Sequence, residues 1–313
     1  MTPEIVRIGT RGSELALWQT HFVRKRLAAL FPAATFEIIT IRTTGDKILD
    51  APLSKIGDKG LFTKELELAL LDGRIDLAVH SLKDVPTVLP GGLTIGAILE
   101  REDARDVFIA HPRKAHRRFL ELPPNAVVAT GSLRRRSQLL NARPELQIVE
   151  IRGNLNTRMK RLEESDWDGM ILARAGVVRL GWTDRITETL PYDLMLPAVG
   201  QGAMTVEIRN DDATILDVVR RLHHEPTAAA VQAERAFLRE LEGGCQIPIG
   251  AHARVQDDQL TLSAVIGSLD GARVLRGTHR GPRTDAARVG VELAHDLIRQ
   301  GGNEILDEIR QTP

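Results

Sequence analysis

A cation and a carboxylate stand side by side at Lys83-Asp84, within Asp76-Leu-Ala-Val-His-Ser-Leu-Lys-Asp-Val-Pro86. Leu77 to Val79 is apolar and partly β-branched, the composition of a short buried strand. Ligands of open α/β sheets bind beyond the carboxyl ends of strands, where Ser81, Lys83 and Asp84 fall. Such a pair suits a substrate carrying both an amine and carboxylates. Pro86 biases Val85 to extended backbone, so no helix is expected directly after the strand. On its own this stretch reads first as an ordinary strand exit with solvated charges.

Two further stretches add anion chemistry. Thr10-Arg-Gly-Ser13 and Thr130-Gly-Ser-Leu-Arg-Arg135 each place a Gly-Ser turn before an amphipathic segment. A helix N-terminus offers unpaired backbone N–H groups and the positive end of its dipole. Arg11 and Ser13 flank the first turn; Thr130, Ser132, Arg134 and Arg135 flank the second. A single such turn is usually only a helix cap. Two beside arginines point to a polycarboxylate or a phosphate. Between Arg113 and Arg161 there are twelve Lys/Arg against three Asp/Glu in a chain of net charge zero. A local field of one sign suits an anionic partner, and a solvated basic face accounts for it equally.

The elements that must position these groups follow from periodicity. Ile5–Ile8 and Phe36–Arg42 read as strands. Between them runs a helix with Leu15, Trp18, Phe22 or Val23, Leu27 and Leu30 on its apolar side. Residues 43–60 read as a long loop, expected to be a mobile lid. A helix from Thr63 to Leu71 leads into the strand at Leu77. Leu93–Ile98 and Asp106–Ala110 are further strands. The plan then repeats: strand Val127–Thr130, Gly-Ser turn, helix Leu133–Asn141, strand Gln147–Arg152, a helix capped by Asn154 and ending near Glu164, strand Gly169–Ala173. Met204–Ile208 is a strand, Thr214–His223 a helix, and Ala228–Leu241 a helix with Val231, Arg235 or Ala236 and Leu238 inward. Strands Ile249–Val255, Leu260–Ile266 and Val274–His279, turning at Asp257-Asp258 and Asp270-Gly271, precede helices at Thr284–Arg299 and Asn303–Arg310.

The 313 residues allow two or three domains, and 42% hydrophobic with 27% charged content is that of a globular protein. No apolar run nears the roughly 20 residues of a membrane span. The N-terminus carries no signal-peptide pattern. One cysteine, Cys245, excludes an intramolecular disulfide framework and fits a reducing, cytoplasmic compartment. The nine histidines form no metal-ligand spacing, and no metal is expected. A lone cysteine is more often a small buried hydrophobe than a functional group; the preceding Gly243-Gly244 argues for access.

At His80-Ser-Leu-Lys-Asp-Val-Pro86, Thr130-Gly-Ser-Leu-Arg-Arg135, Ile151-Arg-Gly-Asn-Leu-Asn-Thr-Arg158, Leu196-Pro-Ala-Val-Gly-Gln-Gly202 and Glu242-Gly-Gly-Cys-Gln-Ile-Pro-Ile-Gly250 the sequence resembles the porphobilinogen deaminase (hydroxymethylbilane synthase) family. The resemblance implies an α/β protein with two lobes like the type II periplasmic-binding-protein fold and a smaller C-terminal α+β domain. The divisions expected are 1–101 with 199–220, 102–198, and 221–313. It implies a transferase that joins four porphobilinogens head to tail, releases ammonia each time, and frees linear hydroxymethylbilane. A dipyrromethane cofactor is implied on Cys245 through a thioether. Asp84 matches the catalytic aspartate, a carboxylate that stabilises the positive charge left when ammonia departs. Arg11, Ser13, Ser81, Lys83, Thr130, Ser132, Arg134, Arg135, Arg152, Asn154, Arg158, Arg179 and Gln201 are the implied substrate and cofactor contacts, and Lys59 and Phe62 belong to the implied lid. Arginine forks bind carboxylates bidentately, which suits rings that each bear an acetate and a propionate. Gly131 departs from the family, many members of which have serine there. Arg136, Arg161 and Arg174 receive no role. The implied protein is a cytoplasmic monomer without nucleic-acid or membrane partners.

Two other readings compete on residues alone. A two-lobed anion-binding or effector-sensing protein explains both Gly-Ser turns but leaves Cys245 and the third region idle. Nucleic-acid binding by the basic window is opposed by 4% aromatic content and by arginines placed at strand ends.

Overall fold

Short apolar runs alternate with amphipathic stretches through the first two thirds of the chain, the pattern of a sheet covered by helices. The computed structural model describes residues 3–47, 60–241 and 247–311. Its strands are β1 (Ile5–Thr10), β2 (Thr35–Thr40), β3 (Leu77–Ser81), β4 (Leu93–Ile98), β5 (Asp106–Ala110), β6 (Val127–Ala129), β7 (Gln147–Val149), β8 (Gly169–Ala173), β9 (Glu188–Thr189), β10 (Met204–Arg209), β11 (Ile249–Gln256), β12 (Gln259–Gly267) and β13 (Val274–Pro282). The described helices are α1 (Glu14–Leu30), α2 (Thr44–Lys47), α3 (Lys64–Leu71), α4 (Leu133–Ala142), α5 (Leu155–Glu164), α6 (Arg174–Arg179), α7 (Ala213–Val219), α8 (Glu225–Glu240), α9 (Ala286–Arg299) and α10 (Gly302–Gln311).

Two five-stranded sheets share one plan, β2-β1-β3-β10-β4 and β7-β6-β8-β5-β9. In each, the first three strands are parallel and the fourth is antiparallel to both its neighbours. The antiparallel strand is the one that arrives from the other lobe. β5 follows directly on the first sheet's β4, and β10 follows the segment that leaves the second lobe. The chain therefore crosses between lobes twice, near residues 99–105 and 196–203. This is the mixed α/β, two-lobed architecture of the type II binding-protein kind, with a separate C-terminal sheet.

That third sheet is an antiparallel meander, β11-β12-β13. Asp257 takes a left-handed φ of 55° in the first hairpin turn, as tight hairpin turns require. The α8 and α9 helices pack on the sheet through Phe237, Leu293 and Leu297. They cross closely because Gly290 has no Cβ; one would run into the backbone of Ala233 and Phe237. Glu234 on α8, fully buried, binds both crossings to this domain. It accepts from Arg101 Nη1 at 2.6 Å, the Gly200 amide at 2.8 Å and the Ala253 amide at 2.8 Å.

Several local expectations change. Leu82–Asp84 forms one turn of 3₁₀ helix directly after β3. The proline restraint reaches only Val85, which is extended, because the clash it relieves involves the residue next to proline. β3 continues to Ser81, since its ladder with β10 extends that far. β7 stops at Val149, where its pairing with β6 ends. Val219 ends α7 and a 3₁₀ turn completes that segment. α8 begins earlier, at Glu225, with Pro226 in the first turn, where its missing N–H costs nothing. Its deepest large side chain is Phe237, while Leu238 is only partly covered. On α1, Val23 and Leu27 are buried but Leu30 is half exposed. Gly243-Gly244, Cys245 and residues 48–59, with the proposed lid's Lys59, lie outside the described residues.

Candidate active site

The two Gly-Ser turns do open helices. Ser13 Oγ accepts from the Ala16 amide at 3.3 Å, and Ser132 Oγ accepts from the Arg135 amide at 3.5 Å. Asn154 Oδ1 caps α5 by accepting from the Thr157 amide at 2.9 Å. Both hydroxyls accept a cap bond and keep their O–H to donate, so the anion-binding capacity lies in those O–H groups together with the remaining first-turn N–H groups. Thr130 is buried, and its Oγ1 accepts from the Ser132 amide at 3.3 Å, fixing the second turn. Gly131 has a physical reason. A Cβ there would meet the Ile151 carbonyl oxygen at 2.6 Å, so this backbone leaves no room for a serine.

On the first lobe a polar pocket is lined by Arg11, Ser13, Gln19, Phe62, His80, Ser81 and Asp84, among others. Sequence patterns do not single out Gln19. Its buried amide donates to Ser81 Oγ at 2.8 Å and fixes that hydroxyl at the end of β3. The Arg11 guanidinium lies over the Phe62 ring at 4.2 Å. Phe62 thus joins the pocket wall.

Lys83 and Asp84 share a cleft with arginines of the second lobe. Burial lowers Lys83 to about 8; Asp84 opposes this, while the charges of Arg135 and Arg134 add to it. Arg158 falls to about 10 by burial, then by Arg135 and Arg152, with Asp84 opposing. Burial also lowers Arg152, against the charge of Glu150, and its Nη2 is buried without a partner among the described residues. Among the described residues the cleft therefore holds more cations than its carboxylates neutralise.

Arg134 and Arg135 are more committed than their motif suggests. They converge on Asp106, which is fully buried at the start of β5. Arg134 Nη1 stands 2.8 Å from Oδ2 and Arg135 Nη2 2.8 Å from Oδ1. The remaining lone-pair space of Oδ1 takes the Gln201 amide at 2.9 Å, and Gln201 also donates to the Ala104 carbonyl at 2.7 Å. Arg134 donates to the Leu196 carbonyl and Arg135 to the Ile171 carbonyl. Burial pushes the Asp106 carboxyl up, but Arg134, Arg135 and the bond from Gln201 together hold it well below the ordinary carboxylate range. Sequence reasoning misses Asp106. The available signal is an acid at the mouth of the apolar run Val107-Phe-Ile-Ala110.

Other residues find places beside this centre. Arg179 is buried, donates to the Gly202 carbonyl at 2.7 Å and lies 5.8 Å from the Trp18 ring; burial lowers it to about 10. It sits at the second crossing. Arg174 pairs with Glu102 at 3.1 Å, and Arg136 and Arg161 are exposed. The lobes also touch where Asn156 Nδ2 donates to Glu14 Oε2 at 2.7 Å. Arg235 of α8 donates to the Val85 and Pro86 carbonyls at 3.0 and 2.6 Å, so the third domain grips the segment after Asp84. Among the described residues no group of three or more His, Cys, Asp or Glu is placed to hold a metal ion. No described helix is long and apolar enough to cross a membrane.

A cleft with surplus arginine and lysine, a carboxylate among them and two capped helix N-termini suits a substrate bearing several carboxylates and an amine. Residues 6–217 match the family model described as porphobilinogen deaminase, dipyromethane cofactor binding domain, and residues 228–299 match the porphobilinogen deaminase C-terminal domain. The chain is 54% identical to a porphobilinogen deaminase of Carboxydothermus hydrogenoformans, covering 99% of each. It is 53% identical to that of Chlorobaculum parvum over 100% of both chains, and 51% identical to that of Synechococcus elongatus over 98% of this chain and 96% of the relative. Matches of this identity and length, on a fold whose cleft has the chemistry just described, show that the chain belongs to the porphobilinogen deaminase family, enzymes that polymerise porphobilinogen into hydroxymethylbilane for tetrapyrrole biosynthesis.

Proposed function

We propose that this chain carries out that polymerisation as a cytoplasmic monomer, on a dipyrromethane held by a thioether to Cys245, with Asp84 as the catalytic carboxylate. The observation that carries this reading is the surplus of positive charge in the cleft among the described residues: Lys83 and Arg158 depressed by burial, and Arg152 Nη2 buried without a partner there. A buried cation without a carboxylate is costly, and carboxylates of substrate and cofactor would supply the missing partners. The donor set thus fits a polycarboxylate cofactor, which when bound would supply a pyrrole carbon for chain growth to start from.

The chain's own residues have separable tasks. Arg11, Ser13, Ser81 and Lys83 on residues 1–101 with 199–220, and Thr130, Ser132, Arg152, Asn154 and Arg158 on residues 102–198, hold ring carboxylates. Arg134, Arg135, Arg179 and Gln201 contribute with part of their donor capacity already committed to protein acceptors. Phe62 shields the pocket over Arg11, and Lys59 is assigned to the lid by the family resemblance alone. Asp84 faces the pyrrole N–H and stabilises positive charge as the C–N bond breaks. It does so at low water content, where a fixed charge acts most strongly. Residues 221–313 carry Cys245 just beyond α8.

The test is the intact mass of the purified protein beside that of Cys245→Ala. A mass above the bare chain by one dipyrromethane, lost in the variant together with activity, supports the reading. An active enzyme at bare-chain mass overturns it.

A further inference from the structure

Beside the Asp84 pocket lies a buried ionisable group that the reaction scheme above leaves unused. His80 lines that pocket and is 5% exposed. Its Nε2 stands 3.0 Å from Glu207 Oε2, on the neighbouring strand β10. The approach is angled rather than aligned as a hydrogen bond, and both Glu207 oxygens are buried without another partner among the described residues. Glu207 is fully buried, and among the described residues no Arg or Lys pairs with it. Nearby, Glu67 of α3 is also buried. Burial raises its carboxyl above the usual range, Thr63 opposing, Glu207 adding and His80 opposing. On the far side Arg235 of α8 contributes a field at Glu207. Arg11 and Asp84 face the same pocket as His80.

A lone carboxylate at zero exposure is strongly destabilising unless something takes up its charge. The imidazole beside it is the group placed to do so. A buried carboxylate behind an imidazole, at a histidine that borders a reaction pocket, is the arrangement that stabilises the ring when it receives a proton. Ring condensation has such a proton to place. The C–N bond of the protonated aminomethyl group breaks and both electrons leave with neutral ammonia. The attacking ring then forms the C–C bond from its π electrons. Finally its α C–H bond breaks, returning the electron pair to the ring and releasing one proton. That proton ends on the departed ammonia, so ammonium leaves and the charge balances.

Resting on the proposed reading of the Asp84 pocket, we infer that His80, backed by Glu207, accepts the α-carbon proton of the attacking ring and passes it to ammonia. Asp84 keeps the electrostatic task and His80 takes the proton-transfer task. The division gives each group a single state in which it is needed. It also gives a purpose to an acid in the middle of a buried strand, where apolar residues would fold more cheaply.

The holoenzyme variants His80→Gln and Glu207→Gln test this, assayed with ordinary porphobilinogen and with porphobilinogen deuterated at its free α-carbon. Cofactor loading is checked by intact mass. Loaded His80→Gln should lose roughly 10²-fold in kcat, the usual scale for one proton-transfer group, with KM within about twofold. Its α-deuterium isotope effect should exceed that of the wild type, because C–H cleavage becomes slow. Glu207→Gln should show the same signature with a smaller loss, and decides the matter if His80→Gln does not load. Wild-type kcat, or a lowered kcat with an unchanged isotope effect, overturns the inference and leaves the pair a structural one. Asp84→Asn separates the two levels. A loaded Asp84→Asn enzyme at full rate sinks the site reading, whereas an impaired Asp84→Asn beside a normal His80→Gln sinks only the role of His80.

Discussion

Replacing Asp106 by asparagine probes the centre on which both lobes converge. Asp106 Oδ1 accepts from Arg135 and Gln201, and Oδ2 stands 2.8 Å from Arg134 Nη1 as an ion pair. An asparagine keeps the shape, but one of those oxygens becomes an NH₂ that must face a guanidinium N–H. Two buried arginines lose their shared counter-charge. Removing one partner of a buried ion pair costs about 3–5 kcal/mol, and each kcal/mol moves Tm by about 2–4 °C in a protein of comparable size. The expected fall in Tm is therefore about 6–20 °C, read by differential scanning calorimetry at pH 7. Acid titration gives a second reading. The folded carboxyl lies below its ordinary range, so its stabilisation is complete above the unfolded value near pH 4 (about 3.9 for a free aspartate). It is lost as pH falls through the folded value. Wild type should lose stability progressively below about pH 4, and Asp106→Asn should lose less over the same window. Unfolding midpoints within 1 °C of each other at pH 7 (roughly a tenth of the expected shift) would show that the arginines do not depend on Asp106.

Four further outcomes follow from the cleft and the segment beside it. Asp84→Asn should lower kcat by roughly 10²–10³ while KM changes little, since one charge stabiliser of the transition state is removed; steady-state kinetics at full loading decide it, and near-wild-type turnover would reassign Asp84. Lys83, at about 8 in the fold, should lose its cation above that pH, so KM should climb between pH 7 and about 9.5, and Lys83→Arg should abolish the climb because guanidinium stays charged. The same depression has a stability sign: the buried cation costs the ligand-free fold below pH 8, and that cost is relieved as pH rises toward the lysine's unfolded value, measurable as rising stability of the Cys245→Ala protein in urea. Arg235→Gln should raise hydrogen exchange in Val85 and Thr87, the segment its guanidinium grips, and lower kcat several-fold; unchanged exchange there would show the grip to be dispensable.

How much of the molecule is legible in its sequence depends on range. Helix caps are written within three residues, so Ser13, Ser132 and Asn154 can be read from local pattern alone. The repeated lobe is legible because each sheet restarts with the same strand, turn and helix. Partners distant in sequence are not. Asp106 gathers residues near 135 and 201, and Glu234 gathers Arg101, Gly200 and Ala253; no local pattern announces such meetings. The 3₁₀ turn at Leu82–Asp84 is hidden because the restraint of Pro86 acts on Val85 and leaves the residues before it free to turn. The arginines are recognisable as anion binders, but how much of each is spent on protein carbonyls depends on packing, which residue type does not record.

The double crossing between lobes constrains how the chain is made. In the first sheet β3 and β4 are not neighbours; β10 lies between them and pairs with both. More than a hundred residues of the other lobe separate β4 from β10. A ribosome adding about 5–20 residues per second would therefore hold β1 to β4 outside the exit tunnel for roughly 5–20 s before the strand that joins them emerges. During that interval β3 presents an open edge of buried-type residues, Leu77-Ala-Val79. The second lobe, whose strands β5 to β9 are contiguous, closes first. Of the two lobes the N-terminal one is completed second, around the strand that also supplies Glu207.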